Sequence, residues 1–198
     1  IVHVGPKGFQ KVGHICFAYD DIVYSYGNYD SDSFHLNQTI GDGIFFTVPL
    51  EKYIPNMISA ENNSIFEYGV YTTSKQNALI EKEIEKIRQN GYRWYTKIEK
   101  EDGYDRFSEY EMDYPSRLHY RTGAKLYKVK SGKFHIYWAL GDNCASFTDL
   151  VLGTLGADVL SIRGIISPGT YLDWLQKEYL KKNSPVVFRC IYKEWDSE

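Results

Sequence analysis

Two side-chain types in this chain can carry acyl-transfer chemistry, and both are scarce: three cysteines, Cys16, Cys144 and Cys190, and five histidines, His3, His14, His35, His119 and His135. A cysteine attacks a carbonyl as its thiolate, so it needs either a lowered pKa or a base within reach. Cys144 stands in Gly141-Asp142-Asn143-Cys144-Ala145-Ser146-Phe147, where the apolar run Phe134 to Leu140 gives way to a polar turn and then to a helical pattern. Asp142 or Asn143 suits an N-cap, which puts Cys144 in the first helical turn. There the unpaired N–H groups and the positive end of the helix dipole favour a thiolate. The same N–H groups, around Asn143 and Ala145, can donate to the oxyanion of acyl transfer. The competing reading is a core cysteine, because Cys144, Phe147, Leu150 and Val151 share one helical face. Cys16 and Cys190 sit inside apolar, strand-like runs and read as structural. An odd cysteine count without a CxxC pair indicates neither a disulfide framework nor a zinc site.

Among the histidines, His14 is the candidate base. It follows Gly13, which lets a neighbouring chain or substrate come close, and it opens the run His14-Ile15-Cys16-Phe17-Ala18-Tyr19. His135 lies nine positions before Cys144 on the preceding strand and reaches it only by a fold-back. His35 and His119 read as loop residues, and His3 lies near the start of the chain. A structural role stays open for each of them, since spacing carries no pair distance.

These side chains need elements to hold them. Residues 12–27 read as a hairpin: Val12 to Tyr19, a turn at Asp20-Asp21, then Ile22 to Tyr26. Residues 28–42 read as a loop, Gly43 to Val48 as a strand stopped by Pro49, and Ile65 to Thr72 as a further strand. Ser74 to Asn90 is the clearest helix, with Leu79, Ile80, Ile84 and Ile87 on one face, Ser74 as cap and Gly91 beyond the end. Its charged residues from Glu81 to Lys86 read as a solvated face. Residues 99–124 read as a charged, tyrosine-rich loop or insertion. Lys125 to Lys130 and Lys133 to Leu140 read as strands around Ser131-Gly132, Asn143 to Leu155 as a helix ended by Gly156, Pro168 to Lys182 as a last helix, and Val186 to Tyr192 as a closing strand. The order predicts one α+β domain over residues 1–198, an antiparallel sheet packed against helices.

Composition narrows the function classes. The chain has 198 residues, net charge -3 and 18 tyrosines. Its charge gives no bulk pull toward nucleic acid or an anionic membrane, and no run of about 18 apolar residues predicts a membrane-spanning helix. It begins at Ile1 without a basic-then-apolar leader, which reads as a processed product or excised domain. HExxH, P-loop and GxGxxG patterns are absent from the sequence, and no cofactor or metal is expected. Gly41-Asp42-Gly43 reads as a turn signal. Lys125, Lys128, Lys130 and Lys133, interleaved with Tyr127, read as a solvated strand face.

Two segments together resemble a known group. Gly13-His14-Ile15-Cys16-Phe17-Ala18-Tyr19, followed by Val23-Tyr24-Ser25-Tyr26-Gly27, is similar to the opening of circularly permuted papain-like proteins of the NlpC type. Asp142-Asn143-Cys144-Ala145-Ser146-Phe147 resembles their later nucleophile turn, and Gly41-Asp42-Gly43-Ile44-Phe45-Phe46 resembles the toxin-type members. The likeness spans about 130 residues and skips an insertion around residues 50–125. It implies a permuted papain-like fold, with His14 as general base and Cys144 as nucleophile, in reversed chain order. It also implies a third polar residue on the second strand of the first hairpin. Ser25 stands there, a departure from the amides and carboxylates usual in the group; Tyr26, Asn28 and Asp30 are alternatives. The resemblance further implies a cysteine amidase or peptidase, a bacterial toxin or effector, secreted or delivered into a target cell. Peptidoglycan stem peptides are the expected substrate and an immunity protein the expected partner. A lipid esterase, an acyltransferase or a protein deamidase would use the same pair, and a tyrosine-rich binding module without catalysis is the reading from a different class.

Overall fold

A computed structural model of the chain describes residues 1–4, 13–100, 108–157 and 166–193. In chain order these form β1 (Val2–Val4), β2 (His14–Ile15), β3 (Phe17–Tyr19), β4 (Ile22–Gly27), β5 (Ile40–Asp42), β6 (Ile44–Pro49), α1 (Leu50–Ser59), β7 (Ser64–Val70), α2 (Ser74–Gln89), β8 (Gly91–Trp94), α3 (Lys97–Lys100), α4 (Tyr114–Thr122), β9 (Lys125–Val129), β10 (Ile136–Trp138), α5 (Cys144–Leu152), α6 (Pro168–Tyr179) and β11 (Val186–Tyr192). Val12, the expected start of the first hairpin, and residues 101–107 of the expected loop lie outside the described residues.

The protein is α+β, with antiparallel sheets packed against helices. The larger sheet runs β3-β4-β6-β9-β8. Its first hairpin turns on Asp20 and Asp21, whose φ angles are 51° and 57°. Two consecutive positive φ values match the right-handed twist of the strands they join. Period-two alternation then divides the side chains between two faces. Val23, Ile44, Phe46 and Leu126 meet Tyr53 and Met57 of α1 and Leu118 of α4. On the other face Tyr24, Tyr26 and Phe45 meet Ile80, Ile84 and Ile87 of α2 and Phe147 and Val151 of α5.

The second sheet runs β11-β7-β1-β2 and the third pairs β10 with β5. The extended stretch from His14 to Tyr19 is shared: β2 pairs with β1 in the second sheet, and β3 pairs with β4 in the first. The changeover falls at Cys16, which is buried in the core of the first sheet while Ile15 packs against α6. Gly13, at φ 84°, turns the chain into this stretch with a backbone that suits glycine.

Several sequence expectations need correction. The cap of α2 is Thr73, reciprocated by Gln76, in place of Ser74. Leu79 is 42% exposed and lies off the buried stripe. Residues 50–59 form α1 despite Pro55, and the expected loop 99–124 contains α4, so His119 is helical. Lys133 to Leu140 shortens to β10, which pairs with β5 and leaves β9 to β6 and β8. Phe134 takes a positive φ of 69° there, and the chain folds back over Gly43. A Cβ on Gly43 would come within 1.8 Å of the Phe134 carbonyl oxygen, so glycine is required. Lys128 is no solvated strand residue; its Nζ lies 2.7 Å from both Asp30 and Asp42. No helix among the described residues is long and apolar enough to cross a membrane.

Asn56 on α1 is 7% exposed, and among the described residues neither its Nδ2 nor its Oδ1 has a hydrogen-bond partner. An unpaired buried amide costs about 1–3 kcal/mol. Asn56→Leu, close in shape, is therefore expected to stabilise the protein by about 1–2 kcal/mol. A rise in the urea midpoint at unchanged slope is the readout, and a fall would show that the amide has a partner in solution.

Candidate active site

Cys144 is the first residue of α5, and Asn143 caps the helix. Asn143 Oδ1 accepts from Ala145 N at 2.9 Å and Ser146 N at 3.0 Å, while Asn143 N donates to Ser146 Oγ. Asn143 Nδ2 donates to the carbonyls of Ala139 and Ile166. Every polar atom of that side chain thus serves the helix and its approach. Asn143 positions Cys144 and has no free donor for an oxyanion, which corrects its expected role. The N–H of Ala145 is shared between the cap and the Cys144 sulfur.

Around that sulfur, the backbone N–H groups of Ile15, Ala145 and Cys144 itself all favour a negative charge. Burial outweighs them. Cys144 is only 5% exposed, and loss of solvation pushes its thiol up to about 11. The expectation of a thiolate held by the helix N-terminus is therefore corrected: at neutral pH the group is a thiol. Tyr26, Tyr29 and Tyr137 lie close enough for their phenols to feel its charge.

His14 opens β2, one residue before the Ile15 N–H that faces the sulfur. Ile15 is held from both sides of its backbone, since Thr148 Oγ1 on α5 donates to its carbonyl at 3.5 Å. The imidazole of His14 is 2.7 Å from Ser25 through Nε2. Ser25 is fully buried on β4 and also meets Tyr29 Oη at 3.3 Å. Burial pushes the His14 pKa down to about 4, so its ring is neutral at pH 7, and both this shift and the raised Cys144 thiol disfavour a resting thiolate–imidazolium pair. Nε2 is engaged by Ser25; among the described residues Nδ1 has no hydrogen bond, and no hydrogen bond joins His14 to Cys144.

The alternatives to Ser25 are engaged elsewhere. Tyr26 Oη donates to the Phe134 carbonyl, Asn28 Nδ2 to the Gln38 carbonyl, and Asp30 holds Lys128. Of the other histidines, His119 Nδ1 pairs with the Ala124 carbonyl and His135 Nδ1 with the Val129 carbonyl. His35 makes an isolated bridge to Ile40. His3 is different: it is buried in β1, its ring centroid lies 4.9 Å from that of His14, and its Nε2 meets Tyr53 Oη at 3.1 Å.

His3 and His14 border a cavity of about 270 Å³, with Tyr29, Asn63, Tyr114 and Tyr137 among its other walls. Sequence reasoning set His3 aside and missed Tyr29, Asn63 and Tyr137; the high tyrosine content signals only two of these four, which come from β1, β10 and two loops.

The buried thiol makes a pH prediction. With the pKa near 11, only about one Cys144 in 10⁴ is ionised at pH 7. Iodoacetamide is expected to label the more exposed Cys190 first, and the Cys144 rate to climb about tenfold per pH unit between pH 7 and 9. Peptide mapping after timed pulses measures both; a fast, pH-independent rate at Cys144 would contradict the buried thiol. Compared with family models, with curated proteins and with solved structures, the chain gives no match in any of the three.

Proposed function

We propose that this protein is a cysteine-dependent amidase or peptidase with a permuted papain-like arrangement, acting through a thioester on peptidoglycan stem peptides as a bacterial toxin or effector. One observation carries the reading. His14, hydrogen-bonded to buried Ser25, adjoins the Ile15 N–H that faces the Cys144 sulfur at the tip of α5. The substrate and the biological setting rest on the resemblance of the His14 and Cys144 segments.

The chemistry follows from the atoms present. His14 Nδ1 takes the proton of the Cys144 thiol as sulfur attacks the amide carbon. The N–H group of Cys144 at the tip of α5 donates to the developing oxyanion. His14 then gives its proton to the leaving nitrogen, the C–N bond breaks, and a thioester remains. Water, deprotonated by His14, attacks that thioester; the acid leaves and sulfur recovers the proton. Ser25 accepts from His14 Nε2–H throughout and so selects the tautomer with Nδ1 free.

The test is release of new amino groups from purified muropeptides, read with intact-mass detection of an acyl adduct on Cys144. Loss of both in Cys144→Ala is the expected result, and full turnover in Cys144→Ala or His14→Ala sinks the reading.

A lipid ester or acyl acceptor is the second reading. It is favoured by the outward face of β10, where Ile136 and Trp138 are exposed beside Tyr137. A stable acyl adduct from lipid, with none from muropeptide, would select it. Burial of the Cys144 sulfur favours a third, a tyrosine-rich binding module, which predicts no turnover of either substrate.

A further inference from the structure

We propose that His3 and His14 are a chelating pair for a divalent transition-metal ion of the zinc type, held by their Nδ1 atoms at the wall of the cavity. The binding stands on the pair alone. Its consequence, that the ion switches off the base, rests on the amidase reading.

The register of the second sheet makes the pair. β1 runs antiparallel to β2 with His3 directly opposite His14, so the two side chains leave the sheet next to each other on one face. Their ring centroids are 4.9 Å apart, with the planes at 45°. Zinc binds imidazole nitrogen at about 2.0–2.1 Å in a tetrahedral shell, which sets the centroids of two ligating rings about 5 Å apart. The two rings already stand at that separation.

The hydrogen bonds choose the ligating atoms. His14 Nε2 meets Ser25 Oγ at 2.7 Å, and His3 Nε2 meets Tyr53 Oη at 3.1 Å. Each hydroxyl oxygen can accept from Nε2–H, which leaves the lone pair on Nδ1. Metal-bound histidines are held in this way, with the second ring N–H given to an oxygen that fixes ring and tautomer. Among the described residues neither Nδ1 has a hydrogen bond. The side-chain polar atoms there that are both closed to water and unpartnered belong to Asn56 and Asn63, so both Nδ1 atoms are open to water. Both histidines line the cavity of about 270 Å³, which has room for the waters that complete the shell. Burial keeps both rings neutral at pH 7, the form that binds metal.

The remaining surroundings select the class of ion. No third histidine, cysteine or carboxylate joins the pair among the described residues. Glu61, on the same wall, is bound through both carboxylate oxygens to Arg117. Two imidazoles and water suit zinc, nickel or copper, whereas calcium and magnesium take shells of oxygen. An ion on His14 Nδ1 occupies the lone pair that the amidase mechanism uses for the Cys144 proton. Zinc is then a reversible inhibitor, lifted by a chelator.

Calorimetric titration of the chelator-stripped full chain with zinc chloride tests the site without requiring turnover. His3→Gln and His14→Gln are each expected to weaken binding at least about tenfold, and Tyr53→Phe, which removes the oxygen that orients His3, by about tenfold. Cys144→Ala is expected to bind zinc as before. In the unsubstituted protein the ring NMR signals of His3 and His14 shift together on zinc addition, which decides the matter for any variant that thermal unfolding shows to be misfolded. No binding, undiminished binding in either histidine variant, loss of binding in Cys144→Ala, or shifts confined to the other histidines overturns the proposal. Turnover undisturbed at zinc saturation overturns the inhibitory role. Zinc binding at the pair in a protein that never turns over an amide, even stripped of metal, sinks the catalytic reading and leaves the site standing.

Discussion

Cys144→Ala is expected to lower amide hydrolysis by about 10⁴-fold or more, and His14→Ala by a similar factor. The two act as a unit: without sulfur no thioester forms, and without the imidazole the thiol, pushed up to about 11 by burial, has no acceptor for its proton. The double variant is consequently no worse than either single one. Ser25→Ala should fall well short of both. It removes the 2.7 Å contact that orients His14 but leaves the base, so a loss of about 10–100-fold is the expected scale. The acid limb of the rate profile provides a separate reading. The reaction needs His14 unprotonated, and burial takes its pKa down to about 4. Activity should thus persist as pH drops through 6.5 and fail only near pH 4, where the folded imidazole takes its proton. Steady-state rates on muropeptides across pH 3.5–8 check this. A limb at pH 6.5 would mean that the ring is solvated, and equal losses in all three single variants would remove the ranking of roles.

The largest stability effect is expected at Phe147. This residue, 2% exposed, stands three positions after Cys144. Its ring contacts those of Tyr26 at 5.0 Å, Phe134 at 5.4 Å, Phe17 at 6.1 Å and Phe45 at 6.2 Å between centroids. Four rings from three strands and the β10 approach converge on one helical side chain. Phe147→Ala empties that centre, and truncations of this kind cost about 3–5 kcal/mol. Denaturant unfolding measures it. A cost below about 1 kcal/mol would mean that the aromatic cluster collapses onto the gap and does not hold α5 to the sheet. The same substitution bears on the proposed chemistry, because α5 carries Cys144, the proposed nucleophile.

How much of this was legible in the sequence varies by element. α2 is readable because Ile80, Ile84 and Ile87 repeat at helical spacing in an otherwise charged run. The β3–β4 hairpin is readable from two aliphatic-aromatic runs around a pair of aspartates. Cys144 at a helix start and Ser25 on the face toward His14 follow from capping chemistry and strand alternation. α1 is masked by Pro49 and Pro55, which signal a break, although Pro49 in fact sits at the N-cap and Pro55 lies inside the helix. α4 buries Pro115, Ser116, Leu118 and Thr122, a set with almost no apolar periodicity. The state of the Cys144 thiol was misjudged for a different reason: a helix terminus is visible in sequence, whereas the depth at which it is buried depends on the other elements. His3 is invisible on the same ground, since it acquires its meaning from neighbours more than ten residues away.

The changeover at Cys16 has a consequence for assembly. His14 belongs to the sheet of β1, β2, β7 and β11, Ser25 to the sheet of β3, β4, β6, β8 and β9, and Cys144 to a helix near the far end of the chain. A nascent polypeptide that has completed only the larger sheet holds the serine without an imidazole to orient. Such wide separation along the polymer is slow to close. On the proposed reading, catalytic competence is thus a late event in maturation, and unravelling of the β1-β2-β7-β11 sheet parts the imidazole from the serine.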